Sequence, residues 1–281
     1  MKQHPLVTVY IPTHNRAVVL ERALKSVISQ TYKNIEIIVV DDGSVDKTEK
    51  VMQQFKEKYS FVKYLKHDEP KGANAARNYA IKEAKGYFIT GLDDDDEMLP
   101  NHIIELVEAY DKRYAYVFAA FNVFEDNKVY IRRCKFDHIT LNDMLYKNWT
   151  GNQVLTTRKM FFDAGLFDES LPASQDYDMW LRMLKLKPLA KFLNEPTYNH
   201  YATSHNRITT SKKRKKGCFQ CYKKHKEMMS IAQRQQNLRY LRHIDGKKNS
   251  SFKMIHTLNS IQKWPRLYLG LIIRRVIKVI N

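Results

Sequence analysis

The chain has 281 residues, 43% hydrophobic and 12% aromatic, enough for a substantial core in one large domain with an appendage. Its formal net charge of +18 is uneven: residues 211–281 hold 19 Lys and Arg against Glu227 and Asp245, a net of +17, which leaves +1 for the first 210. Three cysteines (Cys134, Cys218, Cys221) exclude a disulfide framework and fit a reducing cytosol, and no apolar run reaches the roughly 18 residues a spanning helix needs.

Met1 to Pro12 lacks a basic n-region, an apolar h-region and a cleavage site, so no signal peptide is expected. Leu6 to Ile11 is a β-rich run closed by Pro12. Asn15 is placed to cap a helix whose apolar face is Val18, Val19, Leu20, Ala23, Leu24, Val27 and Ile28. Ile35 to Val40 is apolar enough for a strand buried on both faces. Asp41-Asp42-Gly43-Ser44 is a turn, and Asp46 opens the next helix. A strand over Phe61–Leu65, a helix over Ala73–Ala84 with Gly86 as stop, and a strand over Tyr87–Leu92 follow. Strands alternating with helices in this way predict βαβ units and a mostly parallel sheet.

Asp93 to Asp96 follow that fourth strand directly, and Glu97 to Pro100 read as a helix start, with the helix running to about Lys112. Tyr114–Phe124 and Lys128–Arg133 read as strands, Asn142–Tyr146 as a short helix, and Gln175–Lys185 as a helix burying Trp180, Leu181 and Leu184. The run Lys212–Lys216 breaks the pattern and marks a boundary, with helices expected beyond it. From Pro265 to Ile280 the periodicity gives a broad apolar arc opposite Arg274, Arg275 and Lys278, as in a helix lying on a membrane surface; a helix docked on the catalytic domain is the alternative.

Three acidic turns carry the chemistry: Asp41-Asp42, Asp93 to Asp96, and Asp176 with Asp178. Four adjacent carboxylates at a strand end suit a hard divalent cation, because such ions take oxygen ligands. In open α/β sheets the ligand crevice lies at the carboxyl ends of strands. No GxxxxGK[ST] loop and no GxGxxG after the first strand is present, which argues against P-loop NTPases and typical dinucleotide enzymes. Cys218 and Cys221 with His225 make half a zinc site whose other half is missing.

At these residues the chain resembles a known family. Val7-Thr-Val-Tyr-Ile-Pro-Thr-His-Asn15 resembles the opening strand of family 2 glycosyltransferases of the GT-A fold. Ser29-Gln-Thr-Tyr32 is similar to that family's helix end, and Glu36 to Ser44 with Asp46 and Thr48 to its nucleotide-binding turn. Gly72, Ala76-Arg-Asn78 and Ala84-Lys-Gly86 match the stretch before its metal motif, Leu92 to Asp96 the motif, and Asp176 to Trp180 the catalytic segment. The likeness covers roughly residues 5–210. It implies a GT-A nucleotide-diphospho-sugar transferase, α/β with a Rossmann-like, mostly parallel sheet, over 1–210, followed by a basic helical region over 211–281.

By the same resemblance, Pro12 and Thr13 line the base, with Asn15 beside them; Asp42 accepts from the base, next to Asp41. Asp93 lies near the ribose, Asp94 fills the variable position, and Asp95 binds Mn²⁺ or Mg²⁺ bridging the diphosphate. Asp96 shares that duty or shapes the loop. Arg77 approaches the diphosphate or pairs with a carboxylate. Asp176 is the general base; the preceding residue, often Glu in the family, is Gln175 here. Asp178 is a structural carboxylate. His200 and His205 are both open as a metal-ligating histidine, Arg207 belongs to a loop closing over the diphosphate, and Trp149 either lines an acceptor pocket or fills a gap.

The implied reaction moves a sugar, with inversion, from a nucleotide-diphosphate donor, UDP favoured, to a hydroxyl of a glycan or lipid-linked acceptor in surface-polysaccharide synthesis. The implied place is the inner face of the cell membrane, held by anionic lipid through the basic region, without nucleic acid. A basic nucleic-acid-binding protein and a sugar-nucleotide pyrophosphorylase are the competing readings.

Overall fold

The computed structural model of the chain describes residues 4–125, 128–202 and 211–244. Strands β1 (Val7–Thr13), β2 (Ile35–Asp41), β3 (Val62–Lys66) and β4 (Phe88–Gly91) alternate with helices α1 (Ala17–Ile28), α2 (Thr48–Lys58) and α3 (Ala73–Glu83). β1 pairs in parallel with β2 on one side and β4 on the other, and β2 with β3. Both faces of β1 are buried, as its unbroken apolar run requires. Tyr10, Ile38 and Val40 face the core under α3. Val9, Ile11, Ile37 and Val39 face the opposite core with Leu20 and Leu24 of α1.

The second half adds β5 (Glu97–Met98), α4 (His102–Ala109), β6 (Val117–Glu125), β7 (Lys128–Arg132), β8 (His138–Thr140), α5 (Leu141–Met144), β9 (Leu155–Thr157), α6 (Arg158–Asp163), α7 (Gln175–Leu186) and β10 (Leu189–Tyr201). One sheet results, in the order β3-β2-β1-β4-β9-β6-β10-β5, with β7 against β6 and β8 against β10. β10 runs parallel to β6 and antiparallel to β5 and β8.

Three expectations need correction. Glu97 does not start a helix: Glu97 and Met98 pair with Asn199 and Tyr198, and Pro100 disfavours helical backbone at Leu99, so α4 begins at His102. It ends at Ala109 rather than Lys112. Asn15 is not a helix cap. It sits in the left-handed region at φ 54°, donates its N–H to Ser44 Oγ at 2.7 Å and accepts from the Val45 N–H at 2.8 Å, joining the turns after β1 and β2. The first N–H of α1, Ala17, donates instead to Asp46 Oδ2 at 3.1 Å.

The basic segment is helical through Lys212–Lys216: α8 (Ser211–His225), a 3₁₀ turn (Lys226–Met228) and α9 (Ile231–Ile244). The chain divides into two compact units, Met1–Leu238 and Arg239–Asn281. The first extends past the 210/211 boundary read from the sequence. The second is described only at the end of α9. The segment 265–280, His205 and Arg207 lie outside the described residues. Among the described residues no helix is long and apolar enough to cross a membrane.

Gly91 shows how tightly β1 and β4 meet. It pairs with Tyr10, and a Cβ there would lie 2.3–2.5 Å from the Tyr10 ring. That ring is itself fixed between Phe161 and Phe167, each 6.3 Å away. Gly91→Ala is expected to cost about 1–3 kcal/mol by overpacking, read as a lower denaturant midpoint at an unchanged m-value.

Candidate active site

The site gathers where β1, β2 and β4 end, at the point where the neighbours of β1 diverge. Each strand end delivers polar residues directly after an apolar run: Thr13, after Pro12, from β1, Asp41 and Asp42 from β2, Asp93 to Asp96 from β4. Asp41 is fully buried and accepts from the Ser44 N–H at 2.8 Å and the Tyr64 hydroxyl at 2.6 Å. Asp42 bonds His67 Nδ1 at 2.8 Å and accepts from the N–H groups of Lys71 and Gly72 at 2.8 and 2.7 Å. Burial pushes its carboxyl up, but the His67 bond and the two N–H donors outweigh it and hold the pKa below the ordinary range.

The four-carboxylate loop is satisfied residue by residue. Asp93 accepts from Arg77 Nη2 at 3.0 Å and from Asn152 Nδ2 at 3.0 Å. Against burial, Arg77 and then Asn152 keep it ionised below the usual range. Asp94 accepts from Thr13 Oγ1 at 2.8 Å and Arg16 Nη1 at 2.7 Å; burial still lifts it to about 7. Asp95 takes the other arm of Arg16, Nη2, at 2.8 Å. Asp96 is fully buried, bonds His200 Nδ1 at 3.0 Å and accepts the Tyr201 N–H at 3.0 Å; burial raises it to about 6. Burial would lower the His200 imidazolium, and the bond to Asp96 outweighs that and raises it.

The hard-oxygen donor set can serve a divalent cation in one way. Among the described residues no three ligands surround a common point. Asp95 has the most open side chain of the loop aspartates in ion pairs, at 29% relative exposure. Such a carboxylate fits an ion that takes the rest of its shell from a diphosphate and water, as Mg²⁺ commonly does.

Asp176 comes from the opposite side, in the first turn of α7. Ser174 before it takes a left-handed conformation at φ 60°. Asp176 and Asp178 are two apart on the helix, so they face different ways. Asp178 turns inward to α8 and is fully buried. It accepts from Arg182 Nη2 at 2.8 Å, bonds His225 Nε2 at 2.7 Å and pairs with Lys224 Nζ at 3.0 Å. The sequence reading of Asp178 as structural agrees with this, and His225 is committed there rather than to a zinc site. α8 can approach because Gly217 lies against Ala173; a Cβ on it would be 2.4–2.7 Å from that residue's backbone.

Asp176 itself is half-buried, and among the described residues no donor reaches its carboxylate. Burial lifts its pKa to about 7; Arg77 pulls it down and Asp93 pushes it up, which places all three groups in one field. A carboxylate poised near neutrality and free of hydrogen bonds is suited to accept a proton.

Arg77, Asp93, Asp94, Asp95 and Asp176 are thus brought together, with Thr13 bonded into the loop. Asp41, Asp42 and Asn15 form a neighbouring cluster around Ser44 and His67. His200 is held on Asp96, and Trp180 is core, donating its indole N–H to the Gly151 carbonyl at 3.1 Å. The sequence does not single out Arg16, His67, Asn152 or Tyr198 as site residues. His67 had a signal, since it directly follows a parallel strand, where ligand-facing residues gather. Arg16 directly follows the opening motif. Tyr198, which donates to Asn152 Oδ1 at 2.8 Å, lies on β10, which was not foreseen.

Comparison with known proteins gives the family and the fold. The family model "Glycosyl transferase family 2" matches residues 8–167. WcaA of Escherichia coli (strain K12), whose name assigns it a glycosyl transferase role in colanic acid biosynthesis, is 34% identical over 286 residues, covering 96% of this chain and 99% of WcaA. The GalNAc(5)-diNAcBac-PP-undecaprenol beta-1,3-glucosyltransferase of Campylobacter jejuni is 31% identical over 189 residues, 65% of this chain and 61% of that enzyme. Among solved structures, S. aureus TarS 1-349 in complex with UDP superposes with a TM-score of 0.67 at 19% identity, covering 88% of this chain and 74% of that one. The mannosyltransferase PcManGT from Pyrobaculum calidifontis, in complex with GDP-Man and Mn²⁺, gives 0.60 at 14% identity over 96% and 84%. At these identities the two structures speak to the fold alone.

Proposed function

The chain belongs to glycosyl transferase family 2, an enzyme family, and has the GT-A fold; on that premise we propose that it is an inverting, cation-assisted transferase. In this reading it moves a sugar from a nucleotide diphosphate to a glycan or lipid-linked acceptor of a bacterial surface polysaccharide. The observation that carries the reading is the convergence of Arg77, Asp93 and Asp176 at the mouth of β4, beside the four-carboxylate loop.

The nucleotide base lies along Pro12 and Thr13, with Asp42 as its acceptor and Asp41 and Asn15 beside it. A UDP donor is favoured, in line with the UDP held by a structural neighbour. Asp93 takes the ribose, and Arg77, already on Asp93, faces the diphosphate. Asp95 is the residue that would hold Mn²⁺ or Mg²⁺; bound there, the cation supplies counter-charge to the leaving diphosphate. His200 or His205 is the candidate further ligand. Asp176 accepts the proton of the acceptor hydroxyl as its oxygen attacks the anomeric carbon. The anomeric C–O bond breaks on the far face, its electron pair leaves on the diphosphate, and the proton ends on Asp176.

The basic C-terminal region is proposed to hold the enzyme on the inner face of the membrane, because each Lys or Arg near anionic lipid adds about 1 kcal/mol. The test of the whole reading is a donor screen. Purified protein is given nucleotide sugars with Mn²⁺, and released nucleotide is measured. One donor is expected to stand out, and excess chelator to cut its turnover about tenfold or more, since a cation at the diphosphate is worth several kcal/mol. Undiminished turnover in chelator removes the cation from the mechanism; no release from any donor removes the transferase assignment.

A further inference from the structure

We propose that the acceptor carries an anionic group, and that Arg132, Lys135 and Lys147, beside the Trp149–Phe136 pair, form its binding subsite, joined to Asp93 through Phe121, Tyr198 and Asn152. This rests on the transferase reading above and adds the charge class of the acceptor and the residues that read it.

The cluster is built from three separate segments: the end of β7, the connection to β8, and the loop after α5. Arg132 Nη2 donates to the Asn148 carbonyl at 3.2 Å, which leaves its other donors uncommitted, and its guanidinium lies 5.6 Å from the Phe121 ring centre. Lys147 Nζ sits 4.6 Å above the Trp149 ring, and Phe136 meets Trp149 edge-on at 5.7 Å. Among the described residues no carboxylate pairs with Arg132, Lys135 or Lys147. Lys147 is exposed; desolvation by its neighbours first, then the charges of Arg132 and Lys135, depress its pKa, so unneutralised cations crowd it. Unneutralised like charges beside an aromatic pair suit a sugar ring that carries phosphate or carboxylate: the ring packs on Trp149, and the guanidinium fork takes the anion.

The cluster is also linked to the reacting groups. Phe121 stacks on Tyr198 at 4.8 Å, and Tyr198 bonds Asn152, which bonds Asp93. The Tyr198 hydroxyl feels Arg132 together with Asp96, Asp93 and Asp176. An acceptor anchored by its charge at Arg132 and Lys147 therefore extends toward Asp176. An acidic sugar and a lipid-linked diphosphate share this chemistry.

The experiment is calorimetric binding to the full chain at low salt with the nucleotide site saturated by UDP, so that a diphosphate probe has no access to it. Farnesyl diphosphate and octyl glucuronide are the two probes. Wild type is expected to bind one of them, and R132Q/K147Q about tenfold or more weakly, with UDP affinity and melting temperature unchanged. Arg132→Lys, which keeps the charge but loses the fork, is expected to bind with an affinity between those of wild type and Arg132→Gln. Preference for farnesyl diphosphate identifies a lipid diphosphate and preference for the glucuronide an acidic sugar; either supports the subsite. Binding of neither probe, or equal binding by wild type and R132Q/K147Q, overturns it. If UDP fails to bind while the probe still depends on Arg132 and Lys147, the subsite stands and the donor assignment falls.

Discussion

Asp176→Asn is expected to lower kcat by roughly 10²–10⁴-fold, the usual worth of a positioned general base, and at the same time to make the protein more stable at pH 8. Both effects follow from one environment. Burial raises the Asp176 carboxyl to about 7, against roughly 3.9 in an unfolded chain. Above pH 7 the folded protein must keep a poorly solvated carboxylate charged, at a cost in stability that a neutral amide removes. Below about pH 4 the carboxyl is protonated in both states and the difference vanishes. Stability gained on substitution should therefore grow as pH rises from 4 to 7 and then level off. Wild-type kcat/KM should fall about tenfold per unit as pH drops below 7, because the base is then occupied by a proton. Near wild-type turnover for Asp176→Asn, or a pH profile flat down to 5, would remove Asp176 from the base role.

The carboxylate two residues on behaves in the opposite way. Asp178→Ala is expected to destabilise the fold by about 3–5 kcal/mol, the range for breaking a buried ion pair from one side. Asp178 is fully buried and engages His225, Arg182 and Lys224, so its removal leaves cationic side chains of α7 and α8 facing a cavity. Burial works against its charge, but the His225 bond, Arg182 and Lys224 outweigh it and hold the pKa at about 2. The linkage sign follows: its contribution is fully present above about pH 4 and is lost as pH falls toward 2. Urea melts of wild type should weaken across that window, and those of Asp178→Ala should lack that part of the slope. A variant as stable as wild type at pH 7 would mean that α8 is not anchored through this residue.

The parallel half of the fold was legible because β1, β2 and β4 are compact apolar runs that meet Pro, Asp or Gly at their ends, while β3 is half-polar and stood out by its spacing. Val7–Thr13 and Ile35–Asp41 are buried on both faces, and the sequence has no polar alternation there to confuse the reading. The other half was less legible for physical reasons. β10 contains Glu195-Pro196, and a proline inside a run argues against a strand; the sheet absorbs it by shifting register between Leu193 and Pro196 and again before Tyr198. β5, β8 and β9 are two or three residues long, set by their partners rather than by any local pattern. The acidic residues of the site stood out as turns after strands. Arg16 and Asn152 did not, since their partners are 78 and 59 residues away in sequence and only folding brings them to the carboxylates.

The place of β10 in the sheet bears on how the protein is made. It lies between β6 and β5, yet it follows both in the chain. A ribosome adds roughly 5–20 residues per second, so Tyr198 follows its β6 partner Phe121 by about 4–15 s. For that interval β6 has been synthesised with one apolar edge uncovered, while β1 to β4 already have every neighbour they need except β9. Asp96 meanwhile waits for His200 and Tyr201, the residues that will satisfy it. The nascent chain thus carries an unpaired strand edge, the kind of surface that chaperones cover and aggregates recruit, and a translational pause before residue 200 would lengthen that exposure in proportion.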